Sequence, residues 1–190
     1  MLSASLQLRR VVAARGRRLM NAPSSPSLSP SSPSRCSVRR ARGLCMSAQG
    51  GELAVHSSDE GSTLLLARCL AKVAGVRAGD TIFLQGEVGM GKSVFARGFI
   101  REAAKREDLE VVSPTYLLHE TYDVAGAEEV KIQHFDLYRF DPGKQLEVML
   151  QRAYFEDCLA KDVVLIEWAE YLPQRYKDVG RLVVSLTQHG

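Results

Sequence analysis

No Asp or Glu occurs before Glu52 in this 190-residue chain, although 22 acidic residues follow. The absence divides the sequence. Residues 1–50 carry nine Arg, no Lys and no acid, so the formal +3 of the whole chain belongs to them. Over residues 51–190 the sixteen remaining basic residues face 22 acids, a net −6. A domain of that charge is a poor general binder of nucleic acid, whose phosphates are held by cationic surface. Contact with RNA would then run through a partner. No apolar run approaches the roughly 18 residues that cross a bilayer as a helix, which argues against a membrane role. Only four cysteines are present; Cys36 and Cys45 lie in the acid-free segment, and Cys69 and Cys158 stand far apart without metal-ligand spacing. That pattern speaks for a reducing compartment and against a disulfide or zinc scaffold. Internal repeats are absent.

Arg9, Arg10, Arg15, Arg17 and Arg18 are interleaved with apolar residues, a pattern that predicts a basic amphipathic helix over residues 1–20. Residues 21–37 are mostly Ser and Pro and cannot bury enough apolar area to order themselves. Arg-rich, Ser-rich and acid-free is the composition of a mitochondrial or plastid transit peptide. The expected organisation is a disordered leader over residues 1–50 and one globular domain over 51–190.

The domain is organised around Gly86-Glu87-Val88-Gly89-Met90-Gly91-Lys92-Ser93, which fits G-x-x-x-x-G-K-[ST], the Walker A phosphate loop. The chemistry needs a strand before the loop and a helix after it. Residues 81–85, Thr-Ile-Phe-Leu-Gln, read as a buried strand. Phe95, Phe99 and Ala103 recur every four residues, with Ile100 beside Phe99, and predict an amphipathic helix. Glycines let successive amides point inward as an anion nest, and the helix dipole faces the same point. Lys92 adds a point charge for the β- and γ-phosphates, and the Ser93 hydroxyl is suited to Mg²⁺.

Around the loop, residues 53–56 read as a strand and residues 63–74 as a helix, with Leu66, Leu70 and Val73 or Ala74 on one face and Gly75 as the stop. Residues 117–122 and 130–135 read as strands joined by the turn Asp123-Val124-Ala125-Gly126, an antiparallel pair beside the loop strand. Asp141-Pro142 predicts a helix start, and Leu146, Met149 and Leu150 continue it; residues 154–161 form a second helical piece. Residues 163–166 are the clearest buried strand and end in Glu167-Trp168; residues 182–186 form the last strand. An acid at the end of a buried strand holds Mg²⁺ in P-loop proteins, which places Glu167 there unless it is simply an exposed strand end. Asp136 is either a water- or metal-ordering acid or a turn carboxylate. Thr115, after Pro114, is either a γ-phosphate sensor or part of a local turn, and His134 is either a packed histidine or a catalyst.

The series from the Walker A loop through Ser113-Pro114-Thr115-Tyr116 and His134-Phe135-Asp136-Leu137-Tyr138-Arg139 to Ile166-Glu167-Trp168-Ala169-Glu170 resembles the bacterial TsaE family; Thr63 fits its N-terminal pattern. The similarity covers residues 53–188. Ser93 stands where that family usually has Thr, which keeps the hydroxyl, and Met90 where Ala is common. The resemblance implies a small ATPase that binds ATP and Mg²⁺ and hydrolyses slowly alone. It also implies that the chain docks on TsaB-like and TsaD-like proteins to make N6-threonylcarbamoyladenosine beside the tRNA anticodon. Lys92 and the loop from Gly86 to Ser93, with Val94, Thr115 and Trp168, would hold nucleotide. Ser93 and Glu167 would hold the metal, and Asp136, Glu167 and Lys92 would act in hydrolysis.

A P-loop small-molecule kinase, a GTPase and a nucleotide-switch binding module are the rival classes. No Arg-rich lid follows the loop helix, and no Asn-Lys-x-Asp guanine-reading motif occurs. The fold class expected is α/β: a three-layer, P-loop NTPase-like domain with a mixed parallel and antiparallel sheet.

Overall fold

The computed structural model describes residues 4–11, 44–49, 52–57, 59–140, 142–177 and 181–188. In chain order the elements are β1 (Ala4–Val11), β2 (Leu44–Gln49), β3 (Glu52–Ser57), α1 (Glu60–Ala74), β4 (Thr81–Gln85), α2 (Lys92–Ala104), β5 (His119–Val124) and β6 (Ala127–Asp136). They continue with α3 (Lys144–Arg152), α4 (Phe155–Lys161), β7 (Val163–Glu167), a 3-10 turn (Ala169–Tyr171), α5 (Gln174–Lys177) and β8 (Arg181–Gln188). The strands form one sheet in the order β2-β3-β1-β8-β4-β7-β6-β5.

The centre of the sheet is parallel: β8, β4, β7 and β6 run the same way. Parallel strands are covered on both faces, so their side chains feed two cores. Ile82, Leu84, Val163 and Leu165 pack with Phe95, Phe99 and Ile100 of α2 and Leu66 and Ala67 of α1. Phe83, Val164 and Ile166 point the other way, against Leu146 and Leu150 of α3, Phe155 of α4 and Tyr176 of α5. The result is the expected three-layer α/β domain with a mixed sheet, and the antiparallel strands lie at its two sides.

Several expectations shift. The β5–β6 hairpin is antiparallel as expected, but β7 lies between it and β4. Helix α1 begins at Glu60, three residues before the expected start at 63, because the Asp59 carboxylate accepts the Ser62 amide at 2.8 Å and caps it. Its buried side is Thr63, Leu66, Ala67 and Ala71, while Val73 is 87% exposed. Gly75 closes it with a left-handed φ of 62°. Helix α3 starts at Lys144 after Gly143, not at Pro142; Asp141 lies outside the described residues.

Within the segment predicted to be a disordered leader, Ala4–Val11 is a strand instead of a helix, and Leu44–Gln49 is a second strand. Leu6 and Leu8 alternate with Ser5, Gln7 and Arg9, the period of a strand. In register, Leu6 lies opposite Leu186 and Leu8 opposite Val184. Residues 12–43 lie outside the described residues, and with them the Ser/Pro stretch.

Candidate functional site

Parallel α/β sheets place their sites beyond the carboxyl ends of the strands. Here β4 runs into the glycine loop, β7 ends on Glu167 and β6 ends on Asp136, and the last two residues are register partners. The loop closes tightly over the sheet. A Cβ on Gly86, which has φ 138°, would stand 2.3 Å from the carbonyl oxygen of Leu186 in β8. Gly91, at φ 92°, turns the chain into α2 with no side-chain cap, and no acid lies in the first turn. The amides that open α2 are therefore left to an anion.

A cavity of about 300 Å³ opens at this point, lined by Val88, Gly89, Gly91, Lys92, Ser93, Val94, Ser113, Thr115, Asp136, Tyr138, Glu167 and Trp168. Lys92 is 5% exposed. Its Nζ donates to the carbonyls of Gly86 (2.7 Å) and Glu87 (2.8 Å) and sits 3.7 Å above the centre of the Trp168 ring. Burial holds the ammonium below its usual pKa; Glu167, then Glu170 and Asp136, pull it back up. Trp168 is left-handed at φ 59°, and its amide donates to the Leu84 carbonyl at 3.2 Å. This bend lays the indole between Tyr138 and Tyr171, with ring centres at 4.9 and 5.7 Å.

The two acids are both buried. Glu167 Oε2 accepts the Ser93 hydroxyl at 2.9 Å, across 74 residues of chain, and Oε1 lies 2.9 Å from His134 Nε2. Asp136 Oδ2 accepts Ser113 Oγ at 2.7 Å and Thr115 Oγ1 at 2.6 Å, and Oδ1 accepts the Tyr138 amide at 2.9 Å. Thr115 therefore both lines the cavity and holds Asp136. Arg139 donates to the Tyr116 hydroxyl at 2.9 Å and stacks on that ring at 4.0 Å.

Of the loop residues expected at the site, Gly86 and Glu87 contribute carbonyls to Lys92 and do not line the cavity, and Met90 packs against the α1–α2 core. Thr63 lies behind the loop, buried, with Oγ1 2.8 Å from Ser57 Oγ. Ser113 and Tyr138 line the cavity without having been singled out as site residues. The signal was their spacing: each is two positions from a residue that was.

Among the described residues no group of three or more His, Cys, Asp or Glu side chains is arranged to hold a metal ion. Mg²⁺ is taken by one or two carboxylates together with phosphate oxygens and water, and Glu167 and Asp136 both line the cavity. The donors here are oxygens, the softer thiolate being absent. Adjacent ligands of an octahedral Mg²⁺ are about 3 Å apart for bonds of about 2.1 Å. Ser93 Oγ and Glu167 Oε2 stand 2.9 Å apart. A phosphate arriving at this loop would also meet two buried carboxylates, a repulsion that a divalent cation removes.

Comparison with known proteins agrees with the geometry. The family model for threonylcarbamoyl adenosine biosynthesis protein TsaE matches residues 57–190. The tRNA threonylcarbamoyladenosine biosynthesis protein TsaE of Haemophilus influenzae is 38% identical over 89 residues, 47% of this chain and 51% of the relative. The TsaE protein of Rickettsia felis is 31% identical over 115 residues, 60% of this chain and 61% of the relative. That of a Nostoc species is 33% identical over 134 residues, 70% and 76%. The chain spans about half of the Haemophilus relative and three fifths of the Rickettsia one. The family match runs through the loop, the Ser113–Asp136 contact and the end of β7, which are the three walls of the cavity, and the chain belongs to the TsaE family.

Proposed function

We propose that this chain binds ATP with Mg²⁺ and hydrolyses it as the ATPase component of N6-threonylcarbamoyladenosine formation in tRNA, docked on TsaB-like and TsaD-like proteins. The observation that carries the reading is the Ser93 Oγ to Glu167 Oε2 contact at 2.9 Å beside the open helix end. It joins the two halves of a P-loop site that lie 74 residues apart. Bound there, Mg²⁺ would neutralise charge on the phosphate oxygens. Ser93 and Glu167 would hold it. The amides of the loop and of the first turn of α2 would fix the phosphates, and Lys92 would exchange the Gly86 and Glu87 carbonyls for phosphate oxygens. Catalysis by such a site is positioning and charge stabilisation more than proton abstraction.

Asp136 fits the role of a water-ordering acid, yet three of its roughly four lone-pair sites are taken by Ser113, Thr115 and the Tyr138 amide. In this state most of the carboxylate is engaged. Slow hydrolysis by the isolated chain follows, and a partner that moves residues 113–116 would free it. The −6 charge of residues 51–190 supports contact with tRNA only through that complex.

The composition of residues 1–50 supports delivery to a mitochondrion or plastid, while the relatives named above are bacterial. N-terminal sequencing of the protein from its own cells is expected to begin beyond Met1 and Leu2; an intact Met1 or Leu2 would overturn the delivery. No described helix is long and apolar enough to cross a membrane. Labelled ATP tests the reaction class. Label is expected to appear as free phosphate, and its appearance on a small-molecule acceptor would make the chain a kinase.

A further inference from the structure

We propose that His134 is a positioning residue that holds Glu167 in the orientation able to take a metal beside Ser93. The inference rests on the nucleotide-site reading above. His134 lies on β6 opposite Leu165 of β7, so Glu167, two residues on, is its diagonal neighbour on the same face of the sheet. Asp136 shares that face, and α2, with Ser93 near its start, covers it. The imidazole is 1% exposed and Glu167 is 2% exposed.

The two nitrogens of His134 are used unequally. Nε2 stands 2.9 Å from Glu167 Oε1, while Nδ1 is buried with no hydrogen-bond partner. A carboxylate only accepts, so Nε2 carries the hydrogen of this bond. A histidine kept for packing would satisfy both nitrogens or give way to an apolar ring, because an unpaired buried polar nitrogen is a net cost. This one keeps a single bond, and that bond goes to the residue at the end of β7. With Oε1 tied back to the sheet, Oε2 is the oxygen left to face Ser93. Side chains that bind a metal depend on such outer partners for their orientation.

The test titrates Mg²⁺ against ATP binding to the full chain, read by calorimetry, with thermal melting of the nucleotide-free protein beside it. His134→Phe fills the site and removes the donor. It is expected to raise the Mg²⁺ concentration for half-maximal binding by about 10- to 100-fold. In His134→Gln the side-chain amide replaces the Nε2 donor, and the midpoint is expected within about threefold of wild type by the same outer-partner logic. In a Glu167→Gln background, His134→Phe is expected to add nothing. A wild-type Mg²⁺ midpoint in His134→Phe, equal loss in His134→Gln, or further loss on top of Glu167→Gln would overturn the proposal. Should His134→Phe fail to fold, His134→Asn takes its place, since its amide reaches the Nδ1 position and leaves Glu167 without a donor; it must then lose what Gln retains. If wild-type protein binds ATP with no dependence on Mg²⁺, the metal-site reading itself fails and this inference with it. A normal wild-type dependence with flat variants sinks the inference alone.

Discussion

Lys92→Met shortens the side chain by one atom and removes its charge, and the structure sets what that should do with and without nucleotide. In the free protein Nζ gives two hydrogen bonds to carbonyls and rests on Trp168. Each charge-assisted bond is worth about 1.5–3 kcal/mol, but the ammonium is buried and its desolvation opposes them. Methionine fits the same slot and keeps contact with the indole ring through its sulfur. The two effects offset, and the net change in stability is expected within about 1 kcal/mol, or about 4 °C in Tm. With ATP bound the balance differs, since nothing replaces the cation. Two unit charges about 4 Å apart at an effective dielectric of about 20 interact by about 4 kcal/mol. Part of that is returned because Lys92 must leave the two carbonyls, so about 2–4 kcal/mol of binding is lost, about 30- to 1000-fold in Kd. Calorimetry of ATP binding in Mg²⁺ and a thermal melt of the same sample read both quantities. An ATP affinity within threefold of wild type would refute the placement of the phosphates at Lys92. A fall in Tm well beyond about 4 °C would show instead that Lys92 is chiefly structural.

Gly86→Ala would put a methyl group 2.3 Å from the Leu186 carbonyl, so β4 and β8 must part; a destabilisation of about 3 kcal/mol or more is expected in denaturant unfolding. Asp136→Ala and Glu167→Ala should fold, judged by circular dichroism, yet lower partner-stimulated phosphate release by about 100-fold or more, and wild-type turnover in either would remove that residue from the mechanism. Glu102 sits between α1 and α2, and the hydrogen bond from Lys105, with Lys105, Lys72 and Arg68 as neighbouring charges, lowers its carboxyl below the usual 4.5. A depressed carboxylate adds stability above its unfolded pKa and loses it as pH falls through the folded one. Glu102→Gln should therefore cost stability at pH 7 and progressively less below about pH 4.5, and a pH-independent difference in urea melts would contradict this.

The parts that could be read from sequence are those where burial writes a local pattern. Residues 82–84 and 163–166 are contiguous apolar runs because α1–α2 and α3–α5 cover both faces of their strands. The stripe of Phe95, Phe99 and Ala103 fixed α2 for the same reason. What escaped was mostly set at long range. Nothing near residue 163 says that β7 enters between β4 and β6. The Ser93–Glu167, His134–Glu167 and Ser113–Asp136 contacts join residues 74, 33 and 23 positions apart. His134 in particular reads from sequence more as a packed histidine than as a catalyst, because its contact with Glu167 is set by the pairing of β6 with β7. The arginines among residues 1–20 fit a basic helix as well as a strand, and only the Leu6 and Leu8 alternation marks β1. Asp59 was close to the helix it caps, but the apolar stripe began later and pulled the predicted start to residue 63.

The most direct test of the account measures ATP hydrolysis by the full chain, alone and with matching TsaB-like and TsaD-like proteins, while tRNA modification is scored in the same tube. The account predicts slow hydrolysis alone, because Ser113, Thr115 and the Tyr138 amide engage most of the Asp136 carboxylate, and a marked rise with the partners. It also predicts that multiple-turnover modification requires this chain and fails with Lys92→Met. Hydrolysis unchanged by the partners, together with modification that proceeds without the chain, would contradict the proposed role and leave only the nucleotide site standing.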